Sequence, residues 1–142
     1  MDPEVVHVAI VLSIRDARFG PGAAEDEAFL AWLAKVNREI LDGVSVADPV
    51  SPTDPATVLP YLPVLWQEFH RGCPLSIEHA SKTAALVVVE HPTGLFSPLS
   101  IETHRRTLAS ALAKAGAAKL EVDVRTVATG VLAWTELHCR WP

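Results

Sequence analysis

The sequence predicts an α+β fold, and three observations predict it. Residues 84–91, Ala-Ala-Leu-Val-Val-Val-Glu-His, form a short apolar run rich in β-branched side chains, closed by Pro92-Thr93-Gly94. Both of its alternating faces are apolar, the mark of a central strand with neighbours on both sides. Elsewhere apolar residues recur every three or four positions over several stretches, which is the helical period. Near the carboxyl end Leu120, Val122 and Val124 alternate with Lys119, Glu121, Asp123 and Arg125, the pattern of a half-exposed strand.

Taken in order, Val5 to Ile14 reads as the first strand. Val6, Val8, Ile10, Leu12 and Ile14 make one wholly apolar face, and Val5, His7, Ala9, Val11 and Ser13 a mixed one suited to a contact surface. Arg15-Asp16-Ala17-Arg18 leads through Phe19-Gly20-Pro21-Gly22, which breaks the strand, to Glu25-Asp26-Glu27, an acidic turn that suits a helix amino terminus. A helix follows to about Asp42, with Phe29, Leu33, Val36 and Ile40 inward, Trp32 and Leu41 widening the stripe, and Gly43 at the carboxyl cap.

Prolines at 49 and 52 make residues 44–54 an irregular connection, with a short edge strand at Val44-Ser45-Val46. Asp54-Pro55 then starts a second helix, because a carboxylate caps free amides and proline suits the first helical position. It carries Val58, Leu62, Leu65, Trp66 and Phe69 to about Gly72, with Pro60 and Pro63 distorting its first turns. Leu75 to Ala80, Ser81-Lys82-Thr83 and the opening strand form a hairpin. Ser97 or Ser100 caps a third helix that runs to about Ala115 with Ile101, Leu108, Leu112 and Ala115 inward. After the strand around Leu120 to Arg125, Gly130 marks a turn and Val131 to His138 a final strand. Without the extra helix and the last strand, the order is βαββαβ, the split arrangement of ferredoxin-like two-layer sandwiches. A single α+β domain over residues 1–142 is expected.

Composition bounds the function. The chain has 142 residues, 49% hydrophobic and 20% charged, with a mean hydropathy of +0.24. That apolar excess suggests surface buried against another subunit. A net charge of −5 gives no electrostatic footprint for a polyanion, so nucleic acid is not an expected partner. The densest basic cluster, His104-Arg105-Arg106, reads as the solvated side of a helix. Cys73 and Cys139 are too few and too far apart for a disulfide framework, so free thiols in a reducing cytoplasm are expected. No apolar run approaches the ~18 residues of a membrane span, and no membrane partner is expected.

No glycine-rich nucleotide loop, nucleophile elbow or His-Glu-x-x-His occurs, and no cofactor is expected. His70, Cys73 and His79 have a spacing that could supply metal ligands, but His70 and Arg71 before Gly72 are better explained as a helix end, and no metal is expected. With strand order 4-1-3-2, His7, Glu90 and His91 come to one sheet edge, where a histidine and a carboxylate could do acid/base work. Arg15 and Arg18 could hold an anion, although Glu25, Asp26 and Glu27 occupy the helix end that an anion would want.

The expectation is therefore a non-enzymatic assembly subunit, a homo-oligomer or part of a larger particle such as a phage-like ring or connector. Its partner is a second copy or another protein, and its interface residues are Leu95, Phe96, Trp134 and Trp141. An ordered Trp141 must pack on its own domain or on a neighbour. The alternative is a small enzyme or ligand-binding protein with a pocket between sheet and helices, using His7, Glu90 and His91.

Overall fold

The computed structural model describes residues 3–20, 23–43 and 54–142. Its class is α+β: helices α1 (Pro3–Phe19), α2 (Ala23–Gly43), α3 (Pro55–Val58) and α4 (Leu62–Phe69) precede strands β1 (Leu75–Ala80) and β2 (Ala84–Pro92). Helix α5 (Pro98–Lys114) and strands β3 (Glu121–Thr129) and β4 (Leu132–Arg140) follow. The four strands make one sheet in the order β1-β2-β4-β3, each neighbouring pair antiparallel. The expected edge strand at Val44-Ser45-Val46 lies outside the described residues.

Residues 5–14 are helical, a correction to the expected first strand. Between residues 4 and 15 of α1 the described side chains turned inward are Glu4, His7, Val8, Val11, Leu12 and Arg15, which follow one another at steps of three, one, three, one and three, a helical stripe. The strand reading would have buried Val6, Ile10 and Ile14; all three are exposed, Ile10 by 54%. Pro3 opens the helix, Glu4 sits in its first turn and Arg18 in its last, as the macrodipole favours. The sheet is therefore built from ββαββ, and the strand order 4-1-3-2 that included residues 5–14 does not form.

The later elements follow their local signals. Asp54 caps α3 by accepting from the Ala56 amide at 3.0 Å, with Pro55 at the first helical position. Pro60 and Pro63 remove amide donors, and the segment divides into α3, a 3-10 turn over Leu59–Tyr61, and α4. Gly72 takes φ +92° just after α4, a conformation that a side chain would strain. Ser97 caps α5 through the Ser100 amide at 3.2 Å.

In β2 the odd positions Ala85, Val87, Val89 and His91 are buried, facing Cys139, Leu137, Thr135 and Ala133 of β4 across the ladder. Leu59, Leu62, Phe96, Leu108 and Leu112 complete the core on that face. Full burial of each such aliphatic side chain contributes about 1.5–3 kcal/mol relative to leaving it in water. Leu86, Val88, Glu90, Trp134, Glu136 and His138, on the other face, are only half-buried. Both cysteines are buried thiols, and burial pushes Cys139 up to about 11. Among the described residues, no helix is long and apolar enough to cross a membrane.

Candidate functional site

Between the buried sheet face and helices α1, α2, α4 and α5 lies a cavity of about 300 Å³. Val8, Val11 and Leu12 of α1, Leu33 and Val36 of α2, Leu62 and Leu65 of α4, Val87 and Val89 of β2, and Leu108 and Ala111 of α5 give it an apolar wall. Two ties hold the helices around it. Arg15 Nε and Nη2 donate to Asp26 Oδ1 at 3.0 and 2.8 Å, joining α1 to α2. Asn37 Nδ2 donates to Thr107 Oγ1 at 2.7 Å, joining α2 to α5.

Several polar groups of the wall are engaged within it. Thr103 Oγ1 donates to the Leu99 carbonyl at 3.0 Å and Thr107 Oγ1 to the Thr103 carbonyl at 2.9 Å. Ser100 Oγ lies 3.2 Å from Ser97 Oγ. The described wall also holds a cluster of imidazoles from three helices. His70, closing α4, stacks on Trp66 with ring centroids 3.6 Å apart; His7 of α1 lies 4.9 Å from His70, and His104 of α5 lies 5.3 Å from it. Trp66 is itself fixed by its Nε1, which donates to the Cys73 carbonyl at 2.6 Å.

His70 Nδ1 donates to Glu4 Oε1 at 2.8 Å, and Glu4 is only 1% exposed. A carboxylate offers lone pairs alone, so Nδ1 carries the proton of this bond, and the neutral tautomer that makes it keeps Nε2 as an acceptor. Burial lowers the pKa of His7, with repulsion from His70 adding to it and Glu4 opposing it. His104 keeps part of its surface, yet Trp66, His70 and Phe96 surround the ring. Burial first, then repulsion from His70, His7 and His91, holds it down to about 3. At neutral pH the two rings are uncharged, each with one donor and one acceptor.

The residues expected at one sheet edge do not converge. His7 is on α1 and reaches the cavity. Glu90 is on the half-exposed sheet face, where it accepts from Trp134 Nε1 at 3.3 Å. His91 is buried on the opposite face with both nitrogens engaged: Nδ1 donates to the Pro92 carbonyl at 3.0 Å, and Thr135 Oγ1 donates to Nε2 at 2.9 Å. No acid/base pair forms from the three.

Arg15 is held by Asp16 and Asp26, while the Arg18 guanidinium lies 5.1 Å from the Trp32 ring centroid. Cys73 is buried, His79 is exposed on β1, and His70 belongs to the cavity. Among the described residues, no three His, Cys, Asp or Glu side chains are grouped as metal ligands. Phe96 is buried 4.7 Å from His104, and Leu95 packs on the core. Trp134 is half-buried beside Glu90. Trp141 is 5% exposed and docks on its own β1–β2 turn: its Nε1 donates to the Lys82 carbonyl at 2.8 Å and its amide to the Thr83 carbonyl at 2.9 Å.

Glu4, Trp66 and His104 are the site residues that sequence reasoning missed. In the cluster His104-Arg105-Arg106 only the arginines are solvated charge, paired with Glu102 and Glu27. His104 shares the face of Ile101, Leu108 and Ala111, three before and four and seven after, so helical phase alone could have placed it inward.

No protein-family model matches the chain, and no curated protein matches it in sequence. Solved structures do resemble it. One comes from work on modulating heme redox potential through protein-induced porphyrin distortion, with a TM-score of 0.51 and 10% identity over 99% of this chain and 100% of that one. Another, from a study of heme distortion in the H-NOX family, has a TM-score of 0.53 and 10% identity over 99% of this chain and 95% of that one. The expectation of a non-enzymatic assembly subunit, homo-oligomeric or part of a particle, is overturned by this comparison. Both neighbours are described as heme proteins, a ligand-binding use of the architecture, and the alternative of a pocket between sheet and helices agrees with it. In fold, this chain is similar to solved heme-protein structures that include an H-NOX domain.

Proposed function

We propose that the chain is a small-molecule-binding domain whose ligand is apolar and occupies the cavity between the sheet and helices α1, α2, α4 and α5. The observation that carries the reading is the cavity itself: about 300 Å³, walled by aliphatic side chains, with its histidines gathered together. That volume lies at the lower end of the range for small-molecule sites, and an apolar wall with few polar groups is their usual chemistry. The two buried thiols fit a reducing compartment such as the cytoplasm.

The residues present do not fit a heme. His70 has one feature of an iron-binding histidine, its second nitrogen being bonded to the carboxylate of Glu4. Heme also carries two propionates, and among the described residues neither lysine nor arginine lines the cavity. The hydroxyl protons of Thr103 and Thr107 and one amide proton of Asn37 are spent within the wall. The ligand supported is smaller than a tetrapyrrole and lacks its anionic groups.

Titration with the neutral dye Nile red tests the reading. A saturable rise and blue shift of emission is expected for the wild type, and its loss in Ala111→Trp, which fills the cavity from α5. Overpacking can itself cost about 1–3 kcal/mol, so Leu33→Trp, on the α2 wall, is the second blocking variant, with melting curves to show that both fold. Absent saturable binding, or equal binding by folded blocked variants, contradicts the proposal.

A further inference from the structure

We infer that the cavity selects an apolar ligand with a neutral hydroxyl head, an alcohol or a phenol, seated against His7, His70 and His104, and that it discriminates against the same molecule bearing a carboxylate. This rests on the reading of the cavity as a ligand site and names the chemistry of what it takes.

The inference follows from what surrounds the head-group position. Three imidazole rings from α1, α4 and α5 gather there, His7 and His104 lying 4.9 and 5.3 Å from His70, beside a Trp66 ring that closes one side. A hydroxyl donates one hydrogen bond and accepts others, and an uncharged imidazole does the same through its two nitrogens, so the two match without any change of charge. With Nδ1 committed to Glu4, His70 offers Nε2 as an acceptor.

A carboxylate head would find the opposite. It only accepts, it brings a negative charge close to the buried Glu4, and it would compete with Glu4 for His70. Burial disfavours the charged forms of His7 and His104, and neither lysine nor arginine is among the described residues of the wall. A buried charge without a counter-charge is strongly disfavoured relative to water, whereas a hydrogen-bonded hydroxyl is not.

The test is displacement of Nile red from the wild-type protein at about pH 8, where a fatty carboxyl group is ionised, by three ligands with one tail: 1-decanol, decanoate and 1-methoxydecane. Decanol is expected to bind at least about tenfold more tightly than decanoate, and more tightly than the ether, which cannot donate a hydrogen bond. An alcohol partitions into any apolar space better than an anion does, so Glu4→Gln supplies the specific readout. The substitution keeps the size of the side chain and removes its charge, and the alcohol-to-carboxylate ratio, each affinity referred to the dye affinity of the same variant, is expected to shrink at least about threefold.

A ratio unchanged in Glu4→Gln, equal binding of decanol and its ether, or decanoate binding as tightly as decanol overturns the head-group assignment. Dye binding that is still lost in Ala111→Trp would then leave the cavity reading standing. If neither the alcohol nor the acid displaces a dye that binds in the cavity, the head-group assignment fails as well. If the dye does not bind in the cavity, the cavity reading fails, and this inference with it.

Discussion

His70 Nδ1 donates to Glu4 Oε1 at 2.8 Å across 66 residues of sequence, joining the first turn of α1 to the residue that closes α4. This contact sets one wall of the cavity. Removing the donor to a buried carboxylate costs more than the bond contributes, because the carboxylate stays desolvated with one partner fewer. His70→Ala is therefore expected to destabilise the fold by about 2–4 kcal/mol, and Glu4→Gln, which preserves an acceptor for Nδ1, by about 1 kcal/mol. Urea denaturation of both variants checks the order. Equal losses, or one below about 0.5 kcal/mol for His70→Ala, would mean that the contact does not hold α1 in place.

His104 makes stability depend on pH. Its folded pKa, about 3, lies below the ordinary 6.5, so between those values the unfolded chain binds the extra proton. Stability from this group is complete above about pH 6.5, falls by up to about 1.4 kcal/mol per unit on acidification, and stops falling near pH 3. The lowered pKa of His7 acts in the same direction. Glu102, held down to about 2 chiefly by Arg105, contributes a loss that begins only below its ordinary 4.5. The window from 6.5 to 4.5 therefore isolates the histidines. Unfolding free energies of His104→Leu are expected to show a shallower slope there than the wild type, and an unchanged slope would count against a buried, uncharged His104.

Trp141 holds the end of the chain to its own hairpin through Lys82 and Thr83. Trp141→Ala is expected to cost about 3 kcal/mol and to lower the melting temperature with no change of mass in solution. A drop in mass by native mass spectrometry, with the melting temperature of the subunit unaffected, would instead show Trp141 holding a neighbour.

Hemin is expected to give no stoichiometric, sharpened Soret absorption with the purified protein, since among the described residues neither lysine nor arginine lines the cavity to partner the propionates. A one-to-one band abolished by His70→Ala would show that the wall opens to admit the macrocycle.

Much of the architecture was legible in the sequence where the signal is local. The β1–β2 hairpin, the Asp54 and Ser97 caps, the disruption at Pro60 and Pro63 and the turn at Gly130 depend on a few neighbouring residues, and the structure has each of them. Helix α1 was misread because Val5-Val6-His7-Val8-Ala9-Ile10-Val11-Leu12 satisfies strand alternation and helical period alike, and β-branched residues favour the strand. Extending the count to Glu4 and Arg15 would have favoured the helix, since the inward set 4, 7, 8, 11, 12 and 15 fits only the longer period. The cavity was less legible. His7, His70 and His104 lie far apart in sequence and meet through tertiary packing, and Glu4 becomes a partner of His70 only once α1 is a helix.

Intermolecular nuclear Overhauser effects on methyl-labelled protein saturated with 1-decanol test the central claim, that an apolar ligand sits inside this cavity, most directly. Contacts from the decanol chain are expected to the methyls of Leu33, Leu65, Val89 and Leu108, which line the cavity, and not to the exposed methyls of Val131 and Leu132. Contacts confined to exposed methyls, or none at saturating ligand, would contradict it.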